Sequence, residues 1–289
     1  MVYGVLAVGV ASVSTGALLG RLALDQGVPP LAVAAYRLGL ASLLLAPVAM
    51  ARRGSFLPLN DHYDRWAIAS GAALAAHFAL WIGSLERTTV ASSVALVTAH
   101  PILVAAAAPV VLHERGRPAL LAGIVTAMAG VAVVALGDGR HGHHALVGDM
   151  MALGGAAAFA VYVMAGRRAR ARLPLVQYVA IVYPVASLLL FGAMAISEVP
   201  MGGYSPRAWL WFALMALVPQ LAGHSSFNWA LQHVSASYVS VVVLGEIAGS
   251  ALLAWAFLGE APPATAAVGA ALIASGLVMA SVAERRSAT

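Results

Sequence analysis

Residues 90–111 read VASSVALVTAHPILVAAAAPVV, and residues 236–257, 146 positions further on, read ASYVSVVVLGEIAGSALLAWAF. Each is a continuous apolar run carrying one titratable side chain in its interior, His100 in the first and Glu246 in the second. A helix rises about 1.5 Å per residue, so roughly 20 apolar residues cross a hydrocarbon core about 30 Å thick. Neither run shows the period-two alternation of a membrane barrel strand. Both read as membrane-spanning helices, and the constant offset makes them copies of one another.

The rest of the 289-residue chain has the same character: 62% of it is hydrophobic and only 9% charged, with a mean hydropathy of +0.89. Soluble domains carry about 45–50% apolar and about 25% charged residues. Apolar runs fall near 2–20, 31–51, 66–85, 90–111, 118–136, 148–166, 175–197, 207–230, 236–258 and 264–283, which predicts ten spans and leaves no room for a soluble domain. The breaks carry turn chemistry, as in Gly27-Val28-Pro29-Pro30, Gly137-Asp138-Gly139 and Pro262-Pro263. The N-terminus lacks the basic region and cleavage pattern of a signal peptide, so the first span is expected to stay as a helix.

There is no cysteine, which removes disulfides, thiolate metal sites and redox pairs. All sixteen basic residues are arginine, which removes a Schiff-base lysine. A net charge of +5 would suggest nucleic acid in a soluble chain. Here the arginines flank apolar spans, so topology explains them and no nucleic-acid partner is expected. With the N-terminus inside, Arg52, Arg53, Arg65, Arg115, Arg117, Arg167, Arg168, Arg170, Arg172, Arg285 and Arg286 lie on the cytoplasmic side. Arg21, Arg87, Arg140 and Arg207 lie outside, and Arg37 lies within a span. That bias predicts cytoplasmic termini in an inner (plasma) membrane.

The 146-residue shift also places Gly9 on Gly155, Gly20-Arg21 on Gly166-Arg167, Leu85 on Leu231, Glu114 on Glu260, Gly123 on Gly269 and Gly130 on Gly276. The chain reads as two related five-helix units, residues 1–139 and 148–285. A unit with an odd number of spans re-enters the membrane from the opposite side, so the second is expected to be inverted. Inverted repeats put a binding site near the midplane and let the halves rock around it.

Certain residues also look familiar. Tyr36-Arg37-Leu38 opens the second span; Thr89-Val90-Ala91-Ser92-Ser93, Pro101, Glu114, Gly123 and Gly130 follow. The second half carries Ser235-Ala236-Ser237-Tyr238, Glu260, Gly269 and Gly276 in the same order, with Ile247 in place of the proline. This pattern resembles the EamA family of the drug/metabolite transporter superfamily and, within it, the YddG-type aromatic amino-acid exporters. The resemblance covers nearly the whole chain. It implies ten helices, cytoplasmic termini and export of amino acids or other small metabolites, with no cofactor.

Polar groups inside lipid point to the site, because a charge at mid-helix costs about 2.5–3.5 kcal/mol on insertion scales. Glu246 fits a carboxylate that couples protons or meets a substrate ammonium; it also fits a structural glutamate at a close Gly245–Gly249 crossing. His100 is its titratable mate and shares the coupling reading. Arg37, about two turns into its span, has the length to snorkel to the outer surface, and the family resemblance implies a structural or gating role for it. His77 and Trp81 share one face of the third span, as Gln220, His224 and Asn228 share one face of the eighth. These two stripes are expected either to face a substrate cavity, with Trp81 stacked on an apolar side chain, or to hydrogen-bond between helices. Tyr162, and Tyr183 beside Pro184, are weaker candidates.

The histidines of His141-Gly-His143-His144 lack an anchoring carboxylate, and Arg117 stands where a second zinc-binding histidine would follow His113-Glu114. No metal site is expected. There is no P-loop, which argues against direct ATP-driven pumping. The scattered acidic residues do not suit the Mg²⁺-diphosphate chemistry of an intramembrane prenyl or lipid transferase. A transporter or facilitator is therefore the leading reading, with such an enzyme and a passive channel or scramblase as alternatives. Protons are a possible co-substrate if Glu246 or His100 titrates.

Overall fold

The fold is given by a computed structural model that describes residues 1–51, 62–114, 117–137, 143–259 and 265–288. The described residues are helical throughout, without a strand. In chain order the helices are α1 (Val2–Leu24), α2 (Pro30–Ala51), α3 (His62–Ser84), α4 (Val90–Val97), α5 (His100–Val111), α6 (Pro118–Gly137), α7 (His143–Arg170) and α8 (Leu175–Ile196). Then come α9 (Pro206–Met215), a π-helical segment (Ala216–His224), α10 (Ser225–Ala230), α11 (Ala236–Val243), α12 (Gly245–Leu258) and α13 (Ala266–Ala288).

Among these, eight segments are long and apolar enough to cross a bilayer: α1, α2, α3, Ser92–Val111, Ala145–Arg170, α8, Ala236–Leu258 and Ala266–Arg285. The expected span at 118–136 corresponds to a shorter apolar stretch, Pro118–Val134. The one at 207–230 is helical but changes to π geometry around Pro219, whose missing N–H removes one α-helical bond. The outer surface is apolar: Leu43, Val110 and Leu188 are 70%, 78% and 72% exposed. In water such a surface would aggregate. The protein is a multi-pass membrane protein.

The two runs that opened the sequence are both broken helices. Thr89 and Ser235, repeat mates, each cap a helix N-terminus by accepting a backbone N–H, from Ser92 at 3.0 Å and from Tyr238 at 3.2 Å. The first run breaks at Thr98–Ala99 and the second at Leu244, the mate of Thr98. Pro101 accounts for the first break, because it cannot donate to the carbonyl of Val97. The second break occurs without a proline, just before Gly245, where a methyl group would meet Val10 at 2.9 Å.

Several interhelical contacts occur twice, once in each half's version. Gly155 of α7 lies against α3, where an added methyl would sit 3.5 Å from the His77 carbonyl and 3.5 Å from the Trp81 nitrogen. Gly9 of α1, its mate, lies against Phe227 of α10, the mate of Trp81. Helices α6 and α13 are themselves mates and cross antiparallel: Gly123 meets the Gly276 carbonyl, and Gly130 meets the Gly269 carbonyl.

Arginines gather at one end of the bundle. Arg167 donates to Glu114 at 2.7 Å and to the Leu231 carbonyl at 2.6 Å, while Glu114 also accepts the Ala236 N–H at 3.1 Å. One carboxylate thereby ties α5 to α7 and α11. Arg168 donates to the Val111 carbonyl at 2.9 Å, Arg117 to that of Ala283 at 3.5 Å, and Arg285 covers the Tyr3 ring at 4.4 Å. Arg170 is buried and donates to the Asn228 carbonyl and to Gln232 at 3.0 and 2.8 Å. Arg21 and Arg87 bond instead to the Thr88 and Gly83 carbonyls, at the end of α3 opposite His62.

Candidate functional site

A narrow cavity lies between the halves, lined by Val13, Arg37, His77, Trp81, Val97, Thr98, His100, Phe159, His224, Phe227, Val243 and Glu246, with about 20 Å³ of free space between its walls. That is room for about one water, far below the roughly 300–1,000 Å³ typical of open small-molecule sites, so the space is nearly closed in this conformation. Four pairs of these residues are repeat mates: Val13 with Phe159, Trp81 with Phe227, Val97 with Val243, and His100 with Glu246. Each broken run thus puts the first turn after its break into the wall, bringing His100 and Glu246 to one space.

The two polar stripes face each other. The His77 and His224 rings are 6.4 Å apart, and His77 stacks on Trp81 at 5.8 Å and 16°. His77 is fixed by its Nδ1 on the Gly155 carbonyl at 3.0 Å, a contact that the glycine allows. Phe159 fills the space between, 4.3 Å from the His100 ring and 4.9 Å from that of His77. One layer behind, Tyr162 donates to Asn228 Oδ1 at 2.7 Å, Asn228 Nδ2 lies 3.4 Å from the Tyr183 hydroxyl, and that hydroxyl meets Ser225 Oγ at 2.9 Å. Tyr162 and Asn228 therefore support the wall rather than line it.

Arg37 does not use the length that would let it snorkel: it is 1% exposed. Its Nε donates to Gln220 Oε1 at 2.9 Å, and its guanidinium carbon lies 4.0 Å from the Phe78 ring centre and 6.0 Å from that of Trp81. The Gln220 amide and the aromatic faces hold the charge inward, and Gly16 leaves it room, since a methyl there would sit 3.2 Å from Trp81 and 3.8 Å from Arg37 Nη1. Seven residues of the site carry no sequence signal of their own: the lining residues Val13, Val97, Thr98, Phe159, Phe227 and Val243 and, behind Arg37, Phe78. Six are apolar in an apolar helix and carry no hydropathy contrast. Applying the 146-residue shift to Trp81 would have found Phe227.

Six buried side-chain nitrogens around this cavity have no hydrogen-bond partner among the described residues: Arg37 Nη1, Trp81 Nε1, both ring nitrogens of His100, Gln220 Nε2 and His224 Nδ1. Buried polar atoms are nearly always paired, so such a concentration marks a place built to receive something. Glu260, His141, Arg52, Arg53, Arg115, Arg140, Asp138 and Pro262-Pro263 lie outside the described residues, as do the side chains of His143, His144 and Arg286, while the backbone of His143 and His144 opens α7 rather than forming a loop.

Two stretches of the chain, residues 1–136 and 146–282, each match the EamA-like transporter family. The chain belongs to the EamA family. A Bacillus subtilis (strain 168) protein named as an uncharacterized transporter, YwfM, is 26% identical over 274 residues, covering 91% of this EamA chain and 88% of its own. A protein of known crystal structure superposes with a TM-score of 0.79 at 22% identity, over 99% of this chain and 98% of that one, and so shares its fold. Family and relative both point to a transporter of a small molecule across a membrane rather than to an enzyme.

Proposed function

We propose that this EamA protein is a secondary transporter or facilitator that exports amino acids, aromatic or hydrophobic ones among them, by alternating access around the central cavity. The segments Pro118–Val134 and 206–230 complete ten spans in this reading. The two units are inverted, and the arginine-rich end of the bundle, with both termini, faces the cytoplasm across the inner (plasma) membrane. The observation that carries the reading is the lining of one cavity by four pairs of repeat mates, two of which flank the breaks in equivalent spans. A wall built equally from both halves can open to either side by the same motion.

Glu246 and His100 are the groups placed to couple protons, and Arg37 the one placed to gate. The test is counterflow of labelled phenylalanine, tryptophan and leucine in proteoliposomes, with and without a pH gradient. Saturable exchange is expected. Glu246→Gln is expected to lower it by about tenfold or more, since a hydrogen bond to a charged group is worth roughly 1.5–3 kcal/mol and about 1.4 kcal/mol is a factor of ten. Non-saturable flux would identify a channel instead, and turnover of a prenyl diphosphate an enzyme. Flux that Glu246→Gln leaves unchanged would remove Glu246 from the mechanism.

A further inference from the structure

The hydrogen-bonding groups of the cavity are unbalanced. Arg37 Nη1, Trp81 Nε1 and Gln220 Nε2 are buried and unpartnered, and all three are nitrogens that only donate. The orientation of the Gln220 amide follows from its neighbour: Arg37 cannot accept, so the atom facing its Nε is the oxygen. His100 adds two unpartnered ring nitrogens, one donating and one accepting in the neutral ring, and His224 Nδ1 takes either role by tautomer. Against the three fixed donors stands one carboxylate in the wall, Glu246. A cargo that brought further donors would leave the arginine end unmet, and a buried donor without a partner carries a desolvation penalty.

Resting on the transport reading above, we propose that the cargo's recognised end is a carboxylate or like oxyanion seated on Arg37 Nη1 and Trp81 Nε1, and that Arg37 is the residue that selects acids. The guanidinium is already oriented for this role. Its Nε is engaged by Gln220, its face lies over Phe78, and Nη1 is buried without a partner beside Gly16 and Trp81. A fork with one side fixed binds a planar two-oxygen group without first losing side-chain freedom. The rings of Phe159 and Phe227, also in the lining, suit an apolar remainder. An amine on the cargo would meet Glu246 and would be secondary to the acid.

The experiment compares matched ligands for thermal protection of the purified full chain and for competition in counterflow: phenylalanine, 3-phenylpropanoate, phenylalaninamide and phenethylamine, and the corresponding leucine set. Compounds with the acid are expected to protect and compete, and those without it to do so at least tenfold more weakly. Trp81→Phe keeps the ring and removes the N–H, and is expected to weaken the acids by about two- to tenfold, the range of one hydrogen bond, at an unchanged melting temperature. Arg37→Lys keeps the charge and loses the fork, and Arg37→Met is expected to bring the acid-to-amide ratio close to one. Amides or amines that bind as well as the acids would overturn the proposal while leaving the central cavity in place. If neither class binds and Glu246→Gln leaves transport unchanged, both the proposal and the cavity reading fail.

Discussion

Gly276→Val is expected to leave little folded protein. Helices α6 and α13 meet backbone to backbone, and the first carbon added at Gly276 would sit 2.5 Å from the Gly123 carbonyl, 2.6 Å from the Ala127 nitrogen and 2.7 Å from the Ala127 Cβ. None of these is the end of a flexible side chain, so the helices must separate. Overpacking costs typically 1–3 kcal/mol where side chains can yield, and here about 3 kcal/mol or more is expected. Inside a membrane such contacts hold helices together by close packing, without the hydrophobic drive available in water. The measurement is monodisperse yield and melting temperature in detergent. Gly192→Val is the control, because nothing lies within 4 Å of a methyl placed there. Equal behaviour of the two variants would refute the backbone contact. Gly130→Val should repeat the Gly276 result, since its added carbon meets the Gly269 carbonyl at 2.5 Å.

Trp81→Ala is expected to reduce transport by about tenfold to a hundredfold while leaving the fold intact. Trp81 is 3% exposed, stacks on His77, borders Gly16 and forms part of the cavity wall. Truncation removes an N–H donor, worth about 0.5–1.5 kcal/mol, and an aromatic stacking surface worth about 0.5–1.5 kcal/mol beyond its area. The loss should appear in both half-saturation and maximal counterflow rate. Tyr63, whose ring carries Arg172 at 5.6 Å, is the comparison, because it lies at the arginine-rich end. If Tyr63→Ala depresses flux as strongly as Trp81→Ala, the effect is one of stability and not of the site.

Much of this architecture is legible in the sequence because membrane spans declare themselves by length and apolarity. The helices of the second half start and stop close to where the hydropathy and turn residues put them. The repeat is legible too, since Glu114 and the glycine pairs recur at one offset, and the glycines mark real backbone crossings. Polar residues buried in apolar helices showed His77, Trp81, His100, His224 and Glu246 for the same reason: each stands out against its neighbours. Phe159 and Val13 do not, and only the repeat links them. Distance along α2 leaves open whether Arg37 snorkels or turns inward. What decides its position is a partner 183 residues away, Gln220, together with the aromatic faces around it. The breaks at Thr98 and Leu244 show the same limit: Pro101 announces the first, and no residue type announces the second.

The crossing of α6 with α13 also sets an order of events in synthesis. Gly123 waits for Gly276, 153 residues later in the chain, a delay of roughly 8–30 s at about 5–20 residues per second. Until the last helix leaves the ribosome, the glycine face of α6 has only lipid or a borrowed neighbour against it. Assembly therefore closes from the C-terminal end, and a chain that stops short of α13 would leave the first half complete in sequence but unfinished as a structure.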